Sequence, residues 1–260
     1  MSDSENYRQR KAFFAQMLTI YGRKPVIEAL TDATLQVYKV HLANSNREDG
    51  AIRQIRELAD AKGVAIEMHD RQALSRISKN GKQDQGVAAD LQLRGLRDAG
   101  DLTADINTDK PQQYIALDRI TNPQNLGMII RSVAASGIGG IILPRKGCAA
   151  LSPLVIKSSA GTLFRAPIYL CDDLSRCLQD LSSQGARLCA LSSHASQSLL
   201  EDSYQGTSIY VLGNETDGVS AEVSRLCQQK LCIPMHNGVE SLNVAVTAAL
   251  IAFYAAGASR

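Results

Sequence analysis

A regular alternation of strand-like and helix-like segments from residue 113 onward constrains the fold more than any other feature. Short apolar runs such as YIALD, RLCAL and SIYVLG are separated by amphipathic stretches such as DDLSRCLQDLSSQG. Buried parallel strands are near-continuous apolar runs because helices cover both faces of their sheet. The sequence therefore predicts an α/β domain over residues 113–260, built on a mostly parallel sheet with helices on both faces.

A smaller α/β domain is predicted ahead of it, over residues 19–94. The segments LQVYKVHLA, VAIEMHD and QGVAADLQL are strand-like, and AIRQIRELADAKG is an amphipathic helix ended by a glycine. Residues 1–18 are expected to form a short charged helix or flexible lead. Residues 95–112 are polar and rich in Gly, Asp and Thr, which favours an interdomain linker.

Composition narrows the functional classes. The net charge is only +2, so a nucleic-acid partner must be bound by a local basic patch and not by the overall charge. There is no Trp and only 5% of residues are aromatic, so base stacking is not expected as the main mode of recognition. The six cysteines form no C-x-x-C pair, and the four histidines share no pattern, so no metal site is predicted. The N-terminus lacks a signal-peptide core, and the apolar run at 242–257 is shorter than the ~20 residues of a spanning helix, so a cytoplasmic protein is expected.

Two polar loops are predicted where strands end. DRITNPQNLGMIIRS places Asn125 near a helix start and Arg131 six residues further on, whereas YVLGNETDGVS places Gly213 and Glu215 after a β-run. Ligands of open α/β sheets bind at such strand ends. A capped helix with an exposed arginine and an ordinary Gly-containing turn explain the same residues equally well.

A third polar loop leads into the most apolar segment of the chain. IPMHNGVESLNVAVTAALIAFYA contains Ser241, Leu242 and Asn243 directly before a helix pattern. Ser241 is explained by helix capping alone. Asn243 precedes a continuous apolar face and would be costly to bury without hydrogen-bond partners, which favours a functional role.

In this order and spacing, the three loops resemble the motifs of the SpoU (TrmH) family of RNA 2′-O-ribose methyltransferases, in the SPOUT superfamily. The matching stretches are NPQNLGMIIRSVAASG, LGNETDGVS and IPMHNGVESLNVAV, and SSAGTLFRAPI between them is also similar to the family. The resemblance covers about residues 113–257, and residues 20–94 resemble the family's small RNA-binding domain. It implies a C-terminal trefoil knot, S-adenosyl-L-methionine as cofactor, RNA as partner and a homodimer.

The resemblance also implies site residues. The implied catalytic residues are Asn125, Arg131, Glu215, Ser241 and Asn243. The implied cofactor-binding residues are Leu191, Gly213, Ile233, Ser241 and Leu242. Two positions depart from the family pattern, with Ala245 where many relatives carry Ser and Asn122 where Asp is common, but neither is assigned chemistry.

The expected function is S-adenosylmethionine-dependent 2′-O-methylation of structured RNA, with rRNA ahead of tRNA and with no DNA or membrane partner. One alternative is a non-catalytic RNA-binding or ribosome-assembly factor that retains the fold. Another is a small-molecule α/β enzyme with a regulatory N-terminal domain. Basic residues of the N-terminal domain form either a solvated surface or a phosphate-contacting face.

Overall fold

The computed structural model describes residues 17–33, 35–93, 95–102, 106 and 111–258. The chain divides into two compact units, and the division falls between residues 94 and 95. No helix among the described residues has both the length and the apolar character needed to cross a membrane.

The first unit is built on a four-stranded mixed sheet. The strands are β1 Met17–Tyr21, β2 Gln36–Ala43, β3 Ala65–His69 and β4 Val87–Gln92. Their order is β1-β4-β2-β3, with β4 antiparallel to both β1 and β2 and with β3 parallel to β2.

In the described part of the first unit, three helices accompany this sheet: α1 Arg23–Thr31, α2 Gly50–Ala61 and α3 Arg71–Ser78. Two of them begin at an aspartate that accepts hydrogen bonds from free N–H groups of the first turn. Asp49 caps α2 by accepting from the N–H groups of Ala51 and Ile52, both at 3.1 Å. Asp70 caps α3 by accepting from the N–H of Ala73 at 2.8 Å.

The second unit contains a sheet of eight parallel strands among the described residues, in the order β10-β12-β9-β11-β6-β7-β8-β5. The strands are β5 Leu96–Asp98, β6 Gln113–Leu117, β7 Gly140–Pro144, β8 Ile168–Cys171, β9 Arg187–Leu191, β10 Gln197–Ser198, β11 Ser208–Leu212 and β12 Gln229–Cys232. The predicted parallel sheet is confirmed. Strands β6, β7, β8 and β11 are buried along their whole length, as their apolar sequences require.

Five α-helices with fully described backbones cover this sheet: α4 Pro123–Ser136, α5 Pro153–Ser158, α6 Leu174–Ser183, α7 Ala221–Leu226 and α8 Val244–Ala258. Helices α6 and α7 pack over the face that carries Tyr114 and Ala116 of β6. Helices α4, α5 and α8 pack together, and α8 also contacts β6. Because side chains alternate along a strand, the sheet has a core on each face.

The structure differs from the sequence predictions at two places. Met17 and Leu18 begin strand β1 and do not belong to a lead; residues 1–16 lie outside the described residues. Of the expected linker 95–112, residues 96–98 form β5, which pairs with β8 at the sheet edge, and residues 103–105 and 107–110 lie outside the described residues.

Candidate active site

Three side chains that are distant in sequence form one hydrogen-bonded row. Asn125 of α4 donates from Nδ2 to Oε1 of Glu215, and its Oδ1 accepts from Nδ2 of Asn243 at 3.1 Å. Asn125 is 6% exposed, so both polar ends of its amide are satisfied inside the protein. The row joins one residue from each of the three polar loops found in the sequence.

The start of α4 fixes the place of Asn125. Asn122 caps the helix by accepting from the N–H of Gln124 at 2.8 Å, and Pro123 occupies the first turn, where its missing N–H costs nothing. Gly127 allows α4 to lie against α5, because a Cβ there would fall 1.9 Å from Oγ of Ser158. Close packing of the two helices therefore depends on glycine at this position.

The loop after β11 is a tight turn that presents Glu215. The N–H of Gly218 donates to the carbonyl of Asn214 at 2.9 Å, and Oδ1 of Asn214 accepts from the N–H of Thr216 at 2.7 Å. A Cβ on Gly213 would lie 2.0 Å from the carbonyl carbon of Gly218. Glycine at 213 is therefore required by the close approach of the two backbone segments.

Asn243 both caps a helix and bonds to Asn125. Its Oδ1 accepts from the N–H of Ala245 at 2.8 Å, and its carbonyl accepts from the N–H of Thr247 at 3.0 Å. The amide nitrogen of the same side chain remains free to donate to Asn125. The start of α8 therefore fixes the geometry of the row.

Sequence reasoning missed two charged residues directly after β6. Asp118 is 5% exposed and its Oδ2 accepts from the N–H of Ser220 at 2.6 Å. Arg119 has a positive φ of 61° and donates from Nη2 to the carbonyl of Gly218 at 3.1 Å. Together they tie the end of β6 to the loop after β11. The sequence feature that could have revealed these two residues is a pair of charges immediately after a buried strand.

Arg131 and Ser241 are not hydrogen-bonded to this row. Six residues of helix separate Asn125 from Arg131, which amounts to about 9 Å along the axis and about 120° around it. The side chain of Arg131 is accordingly exposed. Neither it nor Ser241 makes a side-chain hydrogen bond or ion pair within the described part of the chain. The structure therefore brings together three of the five predicted catalytic residues.

Three of the five predicted cofactor-binding residues lie at the carboxyl ends of neighbouring strands, and the other two, Ser241 and Leu242, lie in the loop before α8. Leu191 ends β9, Gly213 follows β11 and Ile233 follows β12, and β9 lies between the other two strands. Leu242, in the loop before α8, is 36% exposed. Leu191 and Ile233 offer half-buried apolar side chains and Leu242 an exposed one, and none of these residues is cationic, which suits an adenosyl group that carries a positive sulfonium.

Three buried or partly buried thiols are poor nucleophiles. Burial raises the pKa of Cys189 to about 12 and that of Cys227 to about 11. Burial likewise raises the pKa of Cys148. Because the thiolate is the reactive form of cysteine, these three residues are inert at neutral pH.

Sequence comparison identifies the class of protein. Residues 112–253 match the SpoU rRNA Methylase family, and residues 19–94 match a family described as RNA 2′-O ribose methyltransferase substrate binding. The chain therefore belongs to the SpoU family of RNA methyltransferases.

A protein named as an uncharacterized tRNA/rRNA methyltransferase from Mycolicibacterium vanbaalenii is 31% identical over 233 residues, covering 89% of this chain and 74% of the relative. The solved SpoU methyltransferase AviRb from Streptomyces viridochromogenes, in complex with AdoMet, shares the fold with a TM-score of 0.63 at 22% identity, covering 94% of this chain and 91% of that one. A structure described as concerning 2-OH methylation of C/U34 on tRNA is 30% identical, with a TM-score of 0.50, covering 55% of this chain and 93% of that one.

Proposed function

We propose that this protein transfers a methyl group from S-adenosylmethionine to a ribose 2′-OH of structured RNA. The observation that carries the proposal is the row formed by Asn125, Glu215 and Asn243, which unites the three family segments beside the strand ends that suit the cofactor. The family match of residues 112–253 and the AdoMet complex of AviRb support the same donor.

The cofactor supplies an electrophilic methyl carbon on a sulfonium. Ile233 and Leu242 would contact its apolar surface, and the backbone around Gly213 would bind its polar edge. Ser241 would add a hydroxyl, and Leu191 would close the pocket from the neighbouring strand. The hydrogen-bonded row then orients the substrate, since methyl transfer requires in-line alignment of the attacking oxygen.

Arg131 would act as a cation and not as a base, because a guanidinium group keeps its proton in proteins. It is exposed and forms no ion pair with any described residue, so its guanidinium N–H groups can form a bidentate hydrogen bond to an RNA phosphate. Held there, it would stabilise the negative charge that develops on the 2′-oxygen. The proton would leave through that phosphate, through water or through the exposed His236.

Helix α3 and the turn after it offer an RNA-contacting surface on the first unit. Arg71, Arg76, Lys79 and Lys82 are all exposed there and form no ion pair with any described residue. Arg23, by contrast, is bound to Asp49 at 2.5 Å. Phosphate contacts would make RNA affinity fall with rising salt, and removing these four charges would flatten that dependence.

The presence of the first unit, whose residues 19–94 match a substrate-binding family, favours rRNA over tRNA as the target. The family match of the catalytic unit is described for rRNA methylases. The match to the structure concerned with C/U34 of tRNA covers 93% of that protein but only 55% of this one. Nearly half of this chain therefore has no counterpart there. The first unit, which matches a substrate-binding family, is consistent with a larger RNA target.

We also propose a homodimer through α8. Val246, Leu250 and Phe253 are 48%, 46% and 55% exposed and follow one another at helical spacing on one face. Apolar stripes of this kind mark interaction surfaces. Phe253→Asp should shift the protein from dimer to monomer in sedimentation, whereas an unchanged sedimentation coefficient would overturn the dimer through this face.

The trefoil knot stays a prediction from the family resemblance. Two features support it: β12 lies beyond β9 and β11 from β6, and the helix that follows β12 returns to pack against β6 and α4. The chain after β12 must therefore cross back over neighbouring strands.

Transfer of tritium from labelled S-adenosylmethionine to purified rRNA and tRNA tests the function. Label on rRNA that is lost in Arg131→Ala and is not restored in Arg131→Lys supports the proposal. Arg176→Ala is the matched control, since Arg176 is an exposed arginine of α6 on the opposite sheet face. Binding of cofactor and RNA without transfer would instead identify a non-catalytic RNA-binding factor.

A further inference from the structure

A polar cluster crosses one face of the four-stranded sheet in the first unit. Its members are Thr19 of β1, Asp90 of β4, His41 of β2, and Glu67 and His69 of β3. The ligand atoms of His41, Glu67 and His69 all lie within 4.8 Å of one another. Linear spacing did not reveal this cluster, because the sheet brings together residues from separate strands.

Hydrogen bonds fix the orientation of the His41 ring. Its Nε2 lies 3.0 Å from Oδ2 of Asp90, and Oδ1 of Asp90 accepts from the hydroxyl of Thr19 at 2.6 Å. A carboxylate only accepts hydrogen bonds, so it assigns the proton of His41 to Nε2. The lone pair of His41 is therefore on Nδ1.

That lone pair is directed at the second imidazole. Nδ1 of His41 lies 2.9 Å from Nε2 of His69, a distance at which either a proton or a metal ion must lie between the two nitrogens. Oε1 of Glu67 is 4.0 Å from the same Nε2. Lys39 binds the other carboxylate oxygen, Oε2, at 2.7 Å and leaves Oε1 available.

The spacing and the ligand types match a metal centre. Ligands about 2.0–2.1 Å from one ion lie about 3.0–3.4 Å from each other, and the 2.9 Å between the two imidazole nitrogens lies close to this range. The 4.0 Å between Oε1 of Glu67 and Nε2 of His69 is longer, so the exposed Glu67 side chain would have to rotate towards the ion. A histidine ligand whose other ring nitrogen donates to a carboxylate is the usual outer-sphere arrangement of metal sites. Asp90 and Thr19 already provide it.

We propose that His41, His69 and Glu67 bind one divalent first-row transition-metal ion, with Zn²⁺ as the best match for two imidazole nitrogens and one carboxylate oxygen. Water completes the coordination, and Asp90 is a positioning residue. The site joins β2 to β3 directly before α3. All of its residues belong to the first unit, whereas the proposed methyl-transfer residues belong to the second.

Cobalt titration of the full-length protein, freed of metal by chelator, tests this site. We expect one Co²⁺ per chain and the visible d–d bands of a four-coordinate nitrogen and oxygen site. The near-ultraviolet charge-transfer band that thiolate ligands produce should be absent. Failure to see d–d bands would overturn the proposal and leave a proton shared between the two histidines.

Variants separate this site from adventitious binding. His69→Asn should lose at least about a hundredfold in affinity, and Asp90→Asn should lose about 10- to 100-fold, as outer-sphere partners do. His194→Asn, which changes an exposed histidine of the second unit, should bind cobalt normally. Undiminished binding in a His69→Asn protein with a normal circular dichroism spectrum would overturn the assignment.

A stability readout makes the test independent of catalysis. Zn²⁺ that binds only the folded chain should raise the Tm of the wild-type protein in a concentration-dependent way. The increase should vanish in His69→Asn and persist in Arg131→Ala. An equal increase in His69→Asn would place the ion elsewhere and contradict the proposed ligands.

Discussion

Asn243 donates a hydrogen bond from its side chain to the side chain of Asn125 at 3.1 Å, across 118 positions of sequence. The two residues are placed by separate helix starts, α4 and α8. Asn125 in turn donates to Glu215, so the amide of one residue connects two others. The contact converts three independent loops into one site, which is why the assignment of function depends on it.

Asn125→Ala should abolish most methyl transfer while RNA binding persists. The change leaves Glu215 and Asn243 without the amide that joins them, and because both residues are exposed, the loss falls on the geometry of the site more than on stability. Gln124→Ala, which alters the exposed neighbouring side chain, should leave both stability and turnover unchanged. Single-turnover assays on the two variants check this; a fully active Asn125→Ala protein would remove the row from the mechanism.

Gly213→Ala should destabilise the second unit and abolish cofactor binding. The added Cβ would lie 2.0 Å from the carbonyl carbon of Gly218, and backbone there cannot move without opening the turn that holds Glu215. Gly257→Ala is the matched control, because a Cβ at that helical position meets nothing within 4 Å. Calorimetric titration of S-adenosylmethionine should show binding to the control alone.

Asp118→Ala should destabilise the protein by about 1–3 kcal/mol, because the N–H of Ser220 loses its acceptor beside a buried strand end. Asp118→Asn keeps an acceptor oxygen and should recover part of this loss. Urea unfolding of the two variants measures the difference. Equal free energies of unfolding for Asp118→Ala and the wild type would show that the contact contributes nothing.

Asp49 should make the stability of the first unit depend on pH. The N–H of Ile52, and next the guanidinium of Arg23, lower the pKa of Asp49 in the folded state. Because folding lowers this pKa, ionised Asp49 stabilises the folded state at pH values above its pKa in the unfolded chain, which is about 4. The stabilisation is lost as the pH falls through the pKa of Asp49 in the folded state. In Asp49→Asn, which keeps a capping oxygen but does not titrate, stability should change less over this range.

Thermal melts from pH 6 to pH 2 on both proteins check this prediction. Asp60→Asn serves as the control, since Asp60 is an exposed residue in the last turn of the same helix. Parallel melting curves for wild type and Asp49→Asn over the whole pH range would contradict it.

The sequence predicted most of the second unit because its strands are short apolar runs and its helices carry clear apolar faces. The linker was partly misassigned because β5 has only three residues, two of them exposed, and its pairing with β8 is not encoded in its own pattern. Strand β1 was missed for a related reason, since it follows a charged segment and pairs only with the distant β4.

The candidate site was likewise predicted from the sequence only in part. Asn125, Glu215 and Asn243 were found because polar residues next to apolar runs are unusual. Their mutual hydrogen bonds could not be predicted, since loop conformation decides them. Arg131 was placed in the same set by resemblance alone, and helical geometry turns it towards solvent.

The central claim, methylation of the ribose 2′-oxygen, is tested most directly by alkaline digestion of RNA labelled with tritiated S-adenosylmethionine. Alkaline cleavage uses the 2′-hydroxyl as its nucleophile, so a 2′-O-methylated position resists it. Our account predicts that the label appears in alkali-resistant dinucleotides with wild-type protein and disappears with Arg131→Ala. Label recovered in mononucleotides would mean base methylation and would contradict the account.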